Sequence, residues 1–598
     1  MASIKRERDI QYLLSLKIDN LLLPYRFEAG IYNLTSKKTD FHWGWDSPLS
    51  QIRGTFTGHW LSAAAKIYRN TNNLQIKAMA DEIVKEIQIC QRENGGRWAF
   101  PIPEKYLSRL KNGKRVWAPQ YVCHKVMMGL LDMYLYAGNE VALNIVRNCA
   151  DWFYDFARDI DRETMSDMMD LEETGGMMEL WADLYSITKE PKHLELMIRY
   201  ERPRLFEPIL NHMDVLTNVH ANITIPEIHG AARAYEVTGE ERYRQIAENY
   251  WELAVEERGS FVTGGQTSGE IWTPIKKQSA RLGSRNQEHC VVYNMMRLSQ
   301  YLYRWTGDKK YADYWEQNLY NGIFAQGYWE ENRDFLMNED LPPQKGLITY
   351  YLPLEAGGQK KWGSETNHFW CCHGTLVQAN SNFHESIYYV ADHTIYIAQY
   401  IPSKLEIEVE GAAVRVIQEK DPQAGSLIKI CETDIHTSER PNCWAVKFII
   451  DSNGKLIQLK FRNPWWIDGN ASLFMNNKKV NYNVGDGYIT IEGVFSDDII
   501  QLILPKKISC WPLPDRKDTV AFIDGPVALA AIDNEQRTIL GDINDPTSFI
   551  IPDNEREWIN WLPYYRTINQ PVNFRFVPLY EIGYEKYNTY FQVSNQKA

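Results

Sequence analysis

Through the first two-thirds of the chain, apolar residues recur at helical spacing. The helical runs come in pairs, separated by short polar turns at "YRNTNNLQ", "YAGNEVAL", "ITKEPKHL", "VTGEERYR" and "WTGDKKYA". Each turn puts Asn, Gly or Lys behind an aromatic-rich helix end and Glu, Asp or Lys ahead of the next apolar run, which suits helix termination and re-initiation. From Gly138 through Thr188 to Gly239 the step is about 50 residues, and the flanking steps are nearer about 67. The pattern predicts helical hairpins repeated with loop insertions. Five hairpins are legible, with a diverged one expected at either end. Such units can stack as an open solenoid or close into a six-hairpin toroid, whose central funnel is lined by loops and suits a small-molecule site.

Beyond about residue 392 the period falls to two, in "TIYIAQYI", "KLEIEVEG", "AVKFIID", "LIQLKF" and "GYITIEG", with turns such as "DSNGK" and "DGN" between the runs. This is the pattern of a β-sandwich. A further segment from about 519 carries "TVAFIDGPVALAAID" and "YNTYFQV". The expected organisation is multidomain, α then β: a helical domain over 1–392 and a β-sandwich region over 393–598 that divides near 515. A chain of 598 residues is too long for one core, which agrees with this division.

Hydrophobic content of 44% with 24% charged residues is that of a soluble globular protein. The net charge of −12 disfavours nucleic acid or an anionic membrane as a partner, because both need a basic face. The sequence shows neither a signal-peptide h-region nor a run of ~18 apolar residues, so a cytoplasmic protein is expected. Nine cysteines at positions 90, 123, 149, 290, 371, 372, 431, 443 and 510 are odd in number and irregularly spaced, which predicts reduced thiols. Most of the 20 Trp and 35 Tyr are expected to pack helices. Trp43, Trp45 and Trp98 lie in Gly-rich loops and are candidates for stacking on a sugar.

The candidate chemistry is concentrated in three stretches. In "NHFWCCHGT" the adjacent Cys371 and Cys372 are followed at once by His373. In "SRNQEHCVVYN" Glu288 and Cys290 stand two residues apart as a helix begins, a place where Glu288 also suits the helix dipole. Together, Glu288, Cys290, Cys371 and Cys372 offer one carboxylate and three thiolates, a suitable tetrahedral set for zinc if the fold joins two halves some 80 residues apart. In "FVTGGQTSGEIWTP" a Gly/Ser/Thr loop carries Glu270 near Trp272, where exclusion of water would raise a carboxyl pKa toward general-acid duty. His59, His124 and His220 each fall near a helix boundary and would converge if the toroid closes.

The motifs "GTFTGHWLSA", "VWAPQYVCHKVMMGLLDMY", "GGMMELWADLYSIT", "HANITIPEIHGAARAYEVTG", "VTGGQTSGEIW", "EHCVVYNMMRLSQYLYRWTGDKKYADYWEQNLYN", "FWCCHGT" and "FVPLYEIGYEKYNTYF" resemble, in order, the zinc-dependent β-L-arabinofuranosidases of glycoside hydrolase families 127 and 146. The resemblance runs over nearly the whole chain. It implies an (α/α)6 helical barrel followed by β-sandwich domains, and a retaining mechanism with a zinc-bound thiolate. It further implies Cys371 as nucleophile, Glu288, Cys290 and Cys372 as the other zinc ligands, and Glu270 as acid/base. His124, His220 and His59 become sugar-binding candidates, joined by position by Tyr351, Trp370 and His373. The implied partner is a small carbohydrate, with homodimerisation through the β domains an added expectation. The chain departs from the resemblance at His373, at Met178 where asparagine is common, and at Ile271 where histidine or arginine is common. These departures leave the machinery intact and bear on the substrate. Three other readings stand beside this one: a hydrolase or lyase of the same fold acting on another sugar, a carbohydrate-binding protein with structural zinc, and a sugar epimerase using a histidine pair.

Overall fold

The computed structural model describes residues 1–32, 41–331, 343–420, 442–553, 556–557 and 560–594. Cys431 lies outside them. Twelve of the described helices form two rings. Their chain order is α1 (Ala2–Ser15), α2 (Thr55–Thr71), α3 (Leu74–Glu93), α4 (Pro119–Ala137), α5 (Glu140–Arg158), α6 (Met177–Thr188), α7 (Pro191–Arg199), α8 (Ala221–Thr238), α9 (Glu241–Trp251), α10 (His289–Thr306), α11 (Lys309–Asn318) and α12 (Cys371–Ser381). The even-numbered helices are the inner ring: each packs on the next, and α12 packs back on α2. This is a closed (α/α)6 barrel.

The turns work as the sequence predicts. Helices α2, α4, α6, α8 and α10 end on the left-handed residues Asn72, Gly138, Lys189, Gly239 and Gly307. Asn73, Asn139 and Asp308 then cap the following helices by accepting from the backbone N–H of Ile76, Ala142 and Lys310. The sixth hairpin is assembled from both ends of the helical region. Helix α1, at the N-terminus, is the outer partner of α12. Its buried Lys5 donates to the carbonyl of Phe324 at 2.9 Å, and its buried Asp9 accepts from the Tyr328 hydroxyl.

Helices α2 and α4 touch backbone to backbone. A methyl at Gly58 would lie 2.1 Å from the Lys125 carbonyl oxygen, and one at Gly129 would lie 2.2 Å from the Gly58 carbonyl oxygen. Gly58→Ala is therefore expected to force the two helices apart and cost about 3 kcal/mol, read as a lowered unfolding midpoint. Met178 fills a comparable contact, against Gly230 of α8. Trp98 is a core ring, 2% exposed, with its indole N–H bonded to the Ile102 carbonyl at 2.6 Å. The expectation that it stacks on a sugar is thereby corrected, since its loop folds inward onto Phe100 and Trp152.

The first β strand after the helices is Tyr388–Ala391, which pairs with Thr394–Ile397, so residue 392 falls in a hairpin turn. A five-stranded and a six-stranded sheet face each other across a core that includes Ile395, Val416, Phe448, Leu459 and Leu502. Position 515 likewise lies in a turn, between Ile508–Leu513 and Arg516–Asp524 of a final nine-stranded sheet. One face of that sheet buries Ala521, Ile523 and Ala530 against Phe261, Val262, Leu352 and Leu354 of the barrel loops. The Tyr590 hydroxyl accepts from the Val262 N–H at 2.7 Å, and the Tyr587 hydroxyl donates to the Pro353 carbonyl at 2.6 Å. The final sheet thus braces the loops that lead to Glu270 and Tyr350. The sandwich is anchored by the fully buried Arg462, which pairs with Asp313 and, at 2.6 Å, with Glu316 of α11.

Candidate active site

In an alternating inner–outer hairpin barrel all inner helices run the same way, so their N-termini meet at one end. There they surround a cavity of about 250 Å³ lined by residues that begin α2, α4, α8, α10 and α12, or directly precede them. The positive ends of several helix dipoles thus face one small volume, a favourable place for carboxylates and thiolates.

Glu288 is the N-cap of α10 but makes no capping bond with its side chain. Its carboxylate instead accepts from Asn222 Nδ2 at 2.9 Å and lies 3.5 Å from Cys371 Sγ. Asn294 Nδ2 in turn donates to Asn222 Oδ1 at 3.1 Å and fixes that amide. Cys290 Sγ is 3.6 Å from Cys372 Sγ, which is 4.0 Å from Cys371 Sγ. One ligand atom from each of Glu288, Cys290, Cys371 and Cys372 lies within 4.8 Å of all the others. A shared tetrahedral ion with sulfur at ~2.3 Å requires sulfur–sulfur edges of about 3.8 Å, whereas a disulfide requires ~2 Å. The four groups can therefore hold a metal ion, and the set is compatible with zinc.

Electrostatics supports the same assignment. Burial pushes Glu288 up to about 8, with the nearby Glu270 charge adding to it. The Cys290 thiol contact and burial push Cys371 well above its usual value against an opposing contact from Cys372, and burial does the same to Cys290 and Cys372. Three buried acids and the partly open Cys371, which resist ionising beside one another, would be brought to their charged forms by a shared cation.

Across the cavity Glu270 adopts φ +68, rare for a side-chain-bearing residue. Its carboxylate accepts from the Tyr350 hydroxyl and lies 3.5 Å from His220 Nε2. Burial favours the neutral acid, but hydrogen bonds from His220, Tyr350 and Tyr351 outweigh it and lower the pKa. This corrects the expected upward shift, because Trp272 is buried in the barrel wall with its indole N–H on Thr224 rather than sheltering the carboxyl group. His220 is raised to about 9: burial opposes the charge, and Glu270, Glu173 and Glu288 more than compensate. Among the described residues its buried Nδ1 has no hydrogen-bond partner. The Tyr350 hydroxyl is also 3.5 Å from Cys371 Sγ, so one hydroxyl spans the gap between Cys371 and Glu270.

The family profile described as β-L-arabinofuranosidase, GH127 catalytic domain, matches residues 3–385. The chain belongs to glycoside hydrolase family 127. It is a glycoside hydrolase of the β-L-arabinofuranosidase type. Its fold is similar to that of a GH127 β-L-arabinofuranosidase from Geobacillus stearothermophilus T6, at 16% identity and TM-score 0.68, covering 97% of this chain and 95% of that one. A second GH127 β-arabinofuranosidase aligns at 15% identity and TM-score 0.71, covering 98% and 95%. No curated protein matches the sequence.

In this family 127 chain, His59, His220, Glu270, Glu288, Cys290 and Cys371 line the cavity, and Cys372 lies buried beneath it. His124 is buried against Gly175 and Gly176, behind the lining. Tyr351 lies close enough to Glu270 to help lower its pKa, and Trp370 supports the Tyr350 ring edge-on at 5.5 Å. His373 is fully buried and turned away, with Nε2 3.0 Å from the Ser364 carbonyl oxygen, so it packs beneath the site instead of facing the cavity. Ile271 sits in a short strand paired with Ser268. Trp45, a stacking candidate, lines the cavity, edge-on to Trp117 at 5.0 Å. Sequence reasoning missed Tyr350, Glu173, Lys125 and Asn222. Tyr350 and Lys125 adjoin residues that it did name, and only side-chain direction separates them.

Proposed function

We propose that the protein is a retaining glycosidase that releases terminal β-L-arabinofuranose, or a closely related pentose, with Cys371 as nucleophile and Glu270 as acid/base. The supporting observation is the single Tyr350 hydroxyl that contacts both groups. It gives them the close spacing of a retaining pair, where an inverting pair needs room for a water between them.

Glu288, Cys290, Cys371 and Cys372 would hold the zinc. When bound, zinc supplies the positive charge that keeps these buried thiols ionised at neutral pH. Cys371 Sγ, which faces the cavity, forms the new bond to the anomeric carbon as the glycosidic C–O bond breaks. Glu270 draws a proton from the adjacent His220 Nε2, delivers it to the departing oxygen and is left as the carboxylate. In the second half Glu270 takes a proton from the water that displaces Cys371 from the sugar. Asn222 orients Glu288, and Tyr350 holds Glu270 on the leaving-group side.

The purified protein is expected to carry about one zinc per chain by elemental analysis and to hydrolyse an aryl β-L-arabinofuranoside. Chelation should remove both zinc and activity, and added zinc should restore them. Full turnover by metal-free protein would refute the reading.

A further inference from the structure

His59 stands on the cavity wall at the end of a chain of hydrogen bonds whose directions are fixed from the far end. On α4, Asp132 accepts from the Ser62 hydroxyl and lies 3.7 Å from the Lys66 ammonium; burial raises its pKa, and the Lys66 charge and the Ser62 hydrogen bond oppose that rise and favour the accepting carboxylate. With its proton committed to Asp132, Ser62 Oγ accepts from Gln378 Nε2 at 3.0 Å. That amide NH2 also points at Met128 Sδ, 3.6 Å away, so its carbonyl end must face the other way. Gln378 Oε1 lies 2.7 Å from His59 Nδ1, and two acceptors cannot meet at that distance. Nδ1 therefore carries the hydrogen. Burial, then the Lys125 charge, holds the imidazole well below its usual pKa and hence neutral.

What remains is Nε2, a lone pair at the cavity, with the Tyr121 hydroxyl 3.4 Å away as its nearest donor. The ring is clamped in this pose. It lies flat on Gly374 of α12, where a methyl group would come 2.3 Å from His59 Cδ2. The glycine of "CCHGT" thus leaves room for an imidazole from the neighbouring helix α2.

We propose that the Asp132–Ser62–Gln378 relay makes His59 an obligate hydrogen-bond acceptor, so that this wall selects a sugar presenting a free hydroxyl to Nε2 and rejects one deoxygenated there. Asp132, Ser62 and Gln378 are positioning residues that never touch the sugar. The inference rests on reading the cavity as the subsite of the terminal sugar.

Two measurements test it. Neutron diffraction from deuterium-exchanged crystals should place a deuteron on His59 Nδ1 and none on Nε2. A deuteron on Nε2 overturns the proposal, whatever the substrate proves to be. The second is kcat/KM for aryl β-L-arabinofuranosides lacking each hydroxyl in turn. One deoxygenation should cost the wild type about 10- to 100-fold, as expected when a buried acceptor is left unpaired. In Gln378→Met, and more weakly in Ser62→Ala, that same penalty should shrink about tenfold while zinc content stays unchanged. A penalty identical in wild type and both variants at every hydroxyl refutes the relay. If the wild type turns over no arabinofuranoside, the arabinose assignment fails while the neutron result still decides the tautomer.

Discussion

Cys371→Ser is expected to leave the protein folded and to lower kcat/KM on an aryl β-L-arabinofuranoside by about 10⁴-fold or more, a loss of about 5 kcal/mol in transition-state stabilisation. The substitution is close to isosteric, so the cavity keeps its shape. Chemistry is what changes. A hydroxyl ionises far less readily than a thiol, and the sulfur is the group whose nucleophilicity survives charge sharing with a cation. Cys372→Ser provides the contrast. Cys372 is fully buried, whereas Cys371 is in part open to the cavity. Replacing Cys372 should therefore act through the metal, lowering zinc content and recovering activity at raised zinc, whereas excess zinc should not rescue Cys371→Ser. Turnover by Cys371→Ser within tenfold of wild type would remove Cys371 from the nucleophile role.

The second large effect concerns Glu270→Gln. A glutamine keeps the hydrogen-bonding shape toward Tyr350 and His220 but has no proton to deliver. Rates on substrates with poor leaving groups should fall by about 10³-fold, while those with activated aryl leaving groups should fall by about tenfold or less in the first step. With activated substrates the variant should accumulate a sugar adduct on Cys371, visible by intact-protein mass spectrometry, because the water that clears it has lost its base. Equal losses on good and poor leaving groups would instead assign Glu270 to binding. His220 sharpens the expectation, because its Nε2 lies 3.5 Å from Glu270 and, with Tyr350 and Tyr351, it is one of the donors that hold the carboxyl group low.

Much of the site is legible in the amino-acid sequence. The metal-capable set can be read because it is rare chemistry at helix starts: Glu288 and Cys290 open α10, and Cys371 and Cys372 open α12. Glu270 can be read because it ends a loop of small polar residues. The misses have a common origin. Lys125 lies in the cavity and its neighbour His124 behind it; Tyr350 touches both Cys371 and Glu270, while its neighbour Tyr351 is not part of the cavity lining; His373 follows the two cysteines but points to Ser364. Adjacent residues on a helix or in a tight loop share their sequence environment and differ by about 100° or more in direction.

The sequence by itself determined the elements and their kinds. Burial of one face imposes a period of 3.6 or 2 on the chain, and left-handed or capping residues mark where each helix stops and restarts. Tertiary structure alone decided closure, with α1 crossing from the N-terminus to complete the hairpin of α12. Closure in turn brings six helix starts to one end, with Glu288 and Cys371, 83 residues apart in the chain, at 3.5 Å. It also set the charges: Glu270 is low and Glu288 high because of which donors and acids surround them, not because of their type. The physical reason is range. Periodicity and caps are local and written in neighbouring residues, while a site's distances and pKa values depend on contacts that exist only once the ring is closed.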